Sequence, residues 1–323
     1  MVNIQPSRFE RLHELNKRID LTKFTSLQEE FLNEQKGTQG EEDFEKCLFE
    51  NGSPHWVVLK NVWLDCGGVF ECDYLVFTKA REYLFEIKNY TGSYVYRESQ
   101  WFRSGKPMSH NPLSQVQKAK TKLQAIFPKI KGVLVFIGEF NPVEMHEKVP
   151  SIQIVERNEL MALVWEMKRE EQRHRGYGLN KEAILNKLAP YEISNPYQNK
   201  PILKETLDTI KLGICCSGCV NFDLVKEGGF YICGCGVYEP KEHAILRTIC
   251  EYGLLYPNEH FKTASLHKFF DGELSKRTLL RILNKYFNRV GNNRNTEYVN
   301  QHIRPNNVRE AFNLDGHVFI KQF

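Results

Sequence analysis

Apolar residues fall along the first half of the chain in short runs at 56–65, 69–78 and 82–88, rich in β-branched and aromatic side chains, and these predict three β-strands. The last two runs are separated by a polar break centred on Lys79 and Ala80, which predicts a hairpin. Before them, a helix is predicted at about 41–50, with acids clustered in its first turn and Phe44, Cys47 and Leu48 as its apolar stripe. After them, Asn111 as cap and Pro112 at the first position open another helix, whose buried face is Val116, Ala119, Leu123, Ile126 and Phe127. The unbroken apolar run Gly132 to Gly138 reads as a strand buried on both faces, and Ser151 to Val155 as a further strand. The resulting order is α-β-β-β-α-β.

Helical spacing returns at Glu159 to Glu171, with Leu160, Leu163, Val164 and Met167 on one face, and the charged run Lys168 to Arg175 reads as its solvated end. Asn195 to Pro201 has the composition of a linker. Beyond it, Lys241–Tyr256, Lys262–Phe270 and Ser275–Phe287 predict three helices. Ser275 caps the third, and Leu279, Leu280, Leu283 and Phe287 form its apolar face. Arg289 to Val299 resembles the polar-tipped hairpin of a winged helix.

Charge inside apolar strands costs free energy, so Asp73, Glu86 and Lys88 stand out. A hairpin turning at Lys79-Ala80 sets Asp73 opposite Glu86, about 5 Å away on one face, and strand alternation sends Lys88 to that face too. Two carboxylates so placed repel unless a cation lies between them, and hard oxygen donors favour Mg2+ or Mn2+. This pattern points to metal-assisted phosphodiester hydrolysis: Asp73 and Glu86 hold the ion, and Lys88 orients water or offsets charge on the phosphate. The plainer alternative is a polar strand end with Asp73 capping a turn. Glu41 lies one helical turn before Phe44 and points toward the core, so it is read as an acid assisting this site, whereas Glu42 and Asp43 read as solvated.

Four blocks occur in order: Gly37-x-x-Gly40-Glu41, Cys72-Asp73-Tyr74-Leu75-Val76, Phe85-Glu86-Ile87-Lys88-Asn89-Tyr90-x-Gly92 and Asn111-Pro112-Leu113-x-Gln115. Together they resemble the nuclease-related domain (NERD) family, which has the PD-(D/E)xK, restriction-endonuclease-like fold. The resemblance covers roughly residues 37 to 160. It implies metal-dependent nuclease chemistry carried by Asp73, Glu86 and Lys88, with Glu41 and Gln115 as accessory positions. Cys72 and Tyr74 depart from the family pattern without removing a charged group, which bears on substrate geometry more than on metal binding.

Five of the nine cysteines crowd into Cys215–Cys235. A C-x2-C and a C-x-C knuckle, joined by a hairpin turning at Glu227-Gly228-Gly229, can surround one ion, and this resembles a zinc ribbon. The expected Zn2+ ligands are Cys216, Cys219, Cys233 and Cys235, with Cys215 as an alternative to Cys216. The remaining cysteines read as core or incidental residues.

Formal charge is +4 over 323 residues, yet residues 261–323 hold eleven Lys and Arg against five Asp and Glu, so the rest of the chain is net negative. Arg277, Arg281, Lys285, Arg289 and Arg294 are therefore read as nucleic-acid contacts, against the alternative of a solvated basic helix. The chain has no apolar stretch of about 18 residues and no recognisable signal peptide, which predicts a soluble, cytoplasmic protein.

The expected organisation is an N-terminal helical extension (1–36), the nuclease domain (37–165), a helical linker (166–205), a zinc ribbon (206–240) and a winged-helix-like nucleic-acid-binding domain (241–323). The expected fold is α/β, a restriction-endonuclease-like αβββαβ core followed by the ribbon and a mostly α C-terminal domain. The expected function is a metal-dependent nuclease acting on DNA, with RNA a further possible substrate. The competing expectation is a catalytically idle nucleic-acid-binding or regulatory protein on a nuclease-like core.

Overall fold

The structure, a computed structural model, describes residues 5–139, 142–147, 149–174, 178–196, 201–292, 296–314 and 319–320. The chain divides into two units, one of Met1–Phe31 with Asn199–Phe323 and one of Leu32–Gln198. Helix α1 (Arg8–Asn16) opens on a reciprocal capping box in which the Ser7 hydroxyl accepts the Glu10 N–H and the Glu10 carboxylate accepts that of Ser7. Helix α2 (Thr25–Asn51) carries the chain into the second unit.

The helix expected at about 41–50 is the last part of α2, so Glu41, Glu42 and Asp43 lie well inside a helix and gain nothing from an N-terminal dipole. Gly40, which reads as a helix opening, has a packing role. A Cβ there would meet Asn89 Cβ at 2.5 Å and Ile137 Cγ2 at 3.0 Å. Glycine lets α2 approach the sheet closely, at a helical cost of about 1 kcal/mol. Asp43 pairs with Arg157 at 2.8 Å, a contact that a solvated reading does not foresee.

The main sheet has the order β1-β2-β3-β7-β9. Strands β1 (Val57–Asp65), β2 (Val69–Phe77) and β3 (Glu82–Lys88) form an antiparallel meander, close to the ranges read from sequence. Strands β7 (Lys131–Phe136) and β9 (Ile152–Glu156) join in parallel with β3. Helix α3 (Pro112–Leu123) lies on one face, its cap made by Asn111 Oδ1 accepting the Ser114 N–H, and its Val116 and Leu123 meet Leu75, Leu84 and Leu134. On the other face Phe44 and Leu48 of α2 and Leu160, Leu163 and Met167 of α4 (Arg157–Arg173) pack on Tyr74, Phe85 and Val133. Helix α5 (Lys181–Leu188) adds Ile184 and Leu188 to the first face. The αβββαβ order expected from the sequence is present.

A second sheet, β6-β5-β4-β8, was not foreseen; it comprises β4 (Tyr94–Arg97), β5 (Gln100–Arg103), β6 (Lys106–Pro107) and β8 (Val143–Met145). Its reversals place Glu98, Ser99, Ser104 and Gly105 at positive φ, and only Ser104-Gly105 carries a recognisable hairpin signal. Trp101 and Tyr94, both fully buried, pack this sheet against Phe136.

In the other unit, α6 (Lys204–Leu207) precedes the ribbon strands β10 (Leu224–Glu227), β11 (Phe230–Cys233) and β12 (Val237–Pro240). Then come α7 (Lys241–Leu255), α8 (Thr263–Phe269) and α9 (Lys276–Tyr286), the hairpin of β13 (Arg289–Val290) and β14 (Glu297–Tyr298), α10 (Val308–Ala311) and β15 (Phe319–Ile320). A bridge between Phe261 and Tyr298 ties the hairpin to the segment between α7 and α8. The stripe of α9 differs in one place from that expected: Leu280 is 41% exposed and Ile282 is buried instead, because the core face follows Leu279, Ile282, Leu283 and Phe287.

A buried ionic network escaped the sequence reading. Glu251 accepts from Arg18 at 2.6 Å and from Arg247, whose guanidinium also donates to Glu239 and to the carbonyl of Cys215. Buried charges of this kind persist only when each is paired. Among the described residues no helix is long and apolar enough to cross a membrane.

Candidate active site and metal centre

Asp73 sits where the ladder of the main sheet changes character. The pairs of β2 and β3 run from Phe77↔Glu82 to Tyr74↔Phe85, and the ladder ends there, one step short of Asp73 and Glu86. There the Asp73 carboxylate itself accepts the main-chain N–H of Ile87 at 2.8 Å. On β1, Asn61, between the partners of Cys72 and Tyr74, has φ 52°. Alternation slips at this point: Leu75 and Phe77 face α3, Tyr74 and Val76 face α2, yet Cys72 faces α3 again. A local slip of this kind re-aims a side chain, as bulges beside active sites do.

Glu86 is 3% exposed, and Lys88 Nζ donates to its Oε1 at 2.5 Å. Lys88 also reaches Gln115 Oε1 at 3.5 Å, which brings the fourth sequence block to the third. Glu41 approaches from α2, its Oε2 3.5 Å from Lys60 Nζ, and the Tyr74 hydroxyl donates to the Glu41 carbonyl at 3.1 Å. Lys60 also pairs with Glu45 at 3.1 Å.

Electrostatics shows a surplus of negative charge. Burial, then the charge of Asp73, pushes Glu86 up to about 8 against the pull of Lys88. Burial raises Asp73 above the usual carboxylate range despite Lys88 and the Ile87 N–H. Burial and Asp73 push Glu41 up to about 7, with Lys60 opposing. Glu71 is likewise pushed up to about 7 by burial and by Asp73 and Glu41. Burial alone would lower Lys88, but the carboxylates of Glu86 and Asp73 and the Tyr90 hydroxyl raise it, so it stays charged. Glu71 received no role from the sequence; its place two residues before Asp73, in a strand with polar neighbours, was the available signal.

A donor set of hard carboxylate oxygens, each disfavoured in its ionised form first by burial and, for Glu86, also by the charge of Asp73, fits Mg2+ or Mn2+. Asp73 and Glu86 are the residues that would hold such an ion. Among the described residues, the one group of three or more side chains gathered as metal ligands is that of four cysteines, whose ligand atoms lie within 4.8 Å of one another.

Those four are Cys216, Cys219, Cys233 and Cys235, with Sγ separations of 3.6 Å for Cys216–Cys235 and 3.4 Å for Cys219–Cys233. Four sulfurs about 2.3 Å from a tetrahedral zinc lie about 3.8 Å apart, so the cluster needs only a small expansion to accept one. The Gly218 N–H donates to Cys216 Sγ at 3.3 Å, and the main-chain N–H of Val237 lowers Cys235 to about 7, which favours the thiolate a metal needs. Cys215 stands outside: its Sγ takes an N–H of Arg247 at 3.8 Å, and its thiol is raised by burial.

On the C-terminal unit, Arg277, Arg281, Lys285 and Arg289 are all exposed. Lys285 pairs with Glu242 at 3.1 Å and Arg289 donates to Thr296 at 3.1 Å. Arg294 lies outside the described residues. Lys262 and Lys276, to which the sequence reading gave no role, line with Leu280, Asn284 and Arg289 a cleft of about 660 Å³ between α8, α9 and the hairpin.

No curated protein and no solved structure matches this chain significantly. About a third of the chain, residues 36–137, matches the family model of the nuclease-related domain (NERD), a restriction-endonuclease-like fold.

Proposed function

We propose that this chain is a metal-dependent nuclease that hydrolyses phosphodiester bonds of DNA. The observation that carries the reading is the junction of Asp73, Glu86 and Lys88, where two carboxylates, that of Glu86 buried and that of Asp73 half-buried, face one cation. Asp73 and Glu86 hold the cation, which when bound supplies Lewis acidity toward the phosphate and a more acidic water. Lys88, kept charged by its neighbours, faces the charge that grows on the phosphate oxygens. Gln115 steadies Lys88, and Glu41, titrating near neutrality, is suited to take a proton from water. The four cysteines hold a structural zinc, and the exposed basic face of α9 with its hairpin supplies phosphate contacts. A cytoplasmic setting suits a chain whose cysteines serve a metal.

Cleavage of plasmid DNA with Mg2+ or Mn2+, set against EDTA, tests this reading. Wild type should cut only with metal, and Asp73→Asn or Glu86→Gln should not cut. DNA binding without cleavage under every metal condition would favour the idle-core alternative.

A further inference from the structure

The loop after β3 builds an ordered edge beside Lys88. The Tyr90 hydroxyl and His110 Nε2 share a hydrogen bond of 2.9 Å, with the two rings edge to face at 75°. Lys88 Nζ and the Arg103 guanidinium each lie 6.0 Å from the centroid of the Tyr90 ring. Arg103 is fixed in place, its Nε donating to the Thr91 carbonyl at 2.8 Å and its Nη2 to the Thr91 hydroxyl at 3.1 Å. A guanidinium has five N–H donors, so these bonds orient Arg103 and leave donors for a ligand. Gly92 turns the loop at φ 113°, where a Cβ would lie 2.6 Å from the Ser104 hydroxyl, so the loop is held against the end of β5. Arg103 and His110 are exposed and Tyr90 is half-buried. His110 is lowered by burial and by Lys88 and Arg103, which disfavours a third cation at this edge.

Cation, aromatic ring, cation is the sequence of groups that one polynucleotide strand presents in complement: phosphate, nucleoside, phosphate. We propose that Arg103 binds the phosphate adjoining the scissile one, with Tyr90, oriented by His110, stacked against the nucleoside between them, so that the preferred substrate is an unpaired strand. This rests on the reading that Lys88 faces the scissile phosphate. An aromatic face needs a base free of its partner, and such stacking is tolerant of sequence. Arg103 is a substrate-positioning residue; the bond-breaking groups remain those around Lys88.

The test is fluorescence anisotropy of a short labelled single-stranded oligonucleotide in EDTA, where nothing is cut. The full chain carries Arg277→Glu and Arg281→Glu to reduce binding by the C-terminal unit. Adding Arg103→Ala should weaken binding about tenfold and reduce the log–log salt slope by about 0.7, one single-strand phosphate contact. Arg103→Lys should restore most of the slope, and Tyr90→Ala should weaken binding without changing it. Thermal melts matching the parent establish that each variant is folded. Unchanged affinity and slope in Arg103→Ala would overturn the subsite, and blunt duplex bound as tightly as single strand would overturn the unpaired-strand assignment. A wild type that shows this binding but never cuts with Mg2+ would refute the nuclease reading and leave the subsite standing.

Discussion

Replacing Glu41 with glutamine should stabilise the metal-free protein at pH 8 and leave it nearly unchanged at pH 5. The Glu41 carboxyl is held at about 7 against an ordinary value of 4.5, first by burial and then by Asp73. The folded protein therefore holds this proton more tightly than the unfolded chain, and stability falls as pH rises from about 4.5 to about 7. At about 1.36 kcal/mol per pKa unit the full shift would cost about 3 kcal/mol above pH 8. The Glu41 side chain is 26% exposed, so solvent screening reduces this to about 2 kcal/mol. The opposing pull of Lys60 on the ionised carboxylate is already contained in that net shift, so its loss is not subtracted again. The expected gain at pH 8 is about 2 kcal/mol. Urea unfolding in EDTA at pH 5, 6.5 and 8 measures it, and the difference between variant and wild type cancels the groups that do not interact with Glu41, leaving its own titration and its coupling to Asp73 and Glu71. All four tryptophans, Trp56, Trp63, Trp101 and Trp165, lie in the Leu32–Gln198 unit, so their fluorescence reports the unit that holds the site. A pH-independent difference, or a variant destabilised more at pH 8 than at pH 5, would refute the picture of a charge-strained acid cluster.

Purified protein should carry about one zinc per chain by elemental analysis, and Cys233→Ser should release it and raise protease sensitivity around 213–236, whereas Cys215→Ser should retain it. Arg277→Glu with Arg281→Glu should weaken DNA binding irrespective of sequence and flatten its salt dependence; binding equal to wild type would assign that face to another partner. Glu251→Gln should cost about 3–5 kcal/mol in calorimetric stability, because it strips a buried partner from Arg18 and Arg247. Those arginines hold the Glu251 carboxyl below its usual range despite burial, so this stabilisation is present above pH about 4.5 and is lost as pH falls through the lowered value.

Strands with unbroken apolar runs and helices with a cap were legible because each signal is local: Asn111 with Pro112, or Ser275, marks its own helix start. The start of α2 was not, since Gly37 and Gly40 mimic a boundary and the reason for Gly40 is a neighbour at Asn89, far along the chain. The small sheet around Trp101 was hidden by strands of two to four residues joined through Glu98 and Ser99 at positive φ. Hairpin arithmetic set Asp73 opposite Glu86, but it could not show that the ladder ends one step short of them, where Asp73 turns to the Ile87 N–H. Spacing chose four cysteines and left Cys215 open; that choice closed only when Arg247 took up Cys215 in three dimensions. The ionic network of Arg18, Glu239, Arg247 and Glu251 joins positions so distant in sequence that no local pattern announces it.

The most direct measurement is single-turnover cleavage of labelled DNA in Mg2+ by wild type and Lys88→Ala, each folded by thermal melt and each binding the DNA in EDTA. The account predicts metal-dependent cutting by wild type and a loss of about 10²–10³-fold or more in rate for Lys88→Ala with binding retained. Cutting by Lys88→Ala at the wild-type rate, or wild-type cutting that persists in excess EDTA, would contradict it.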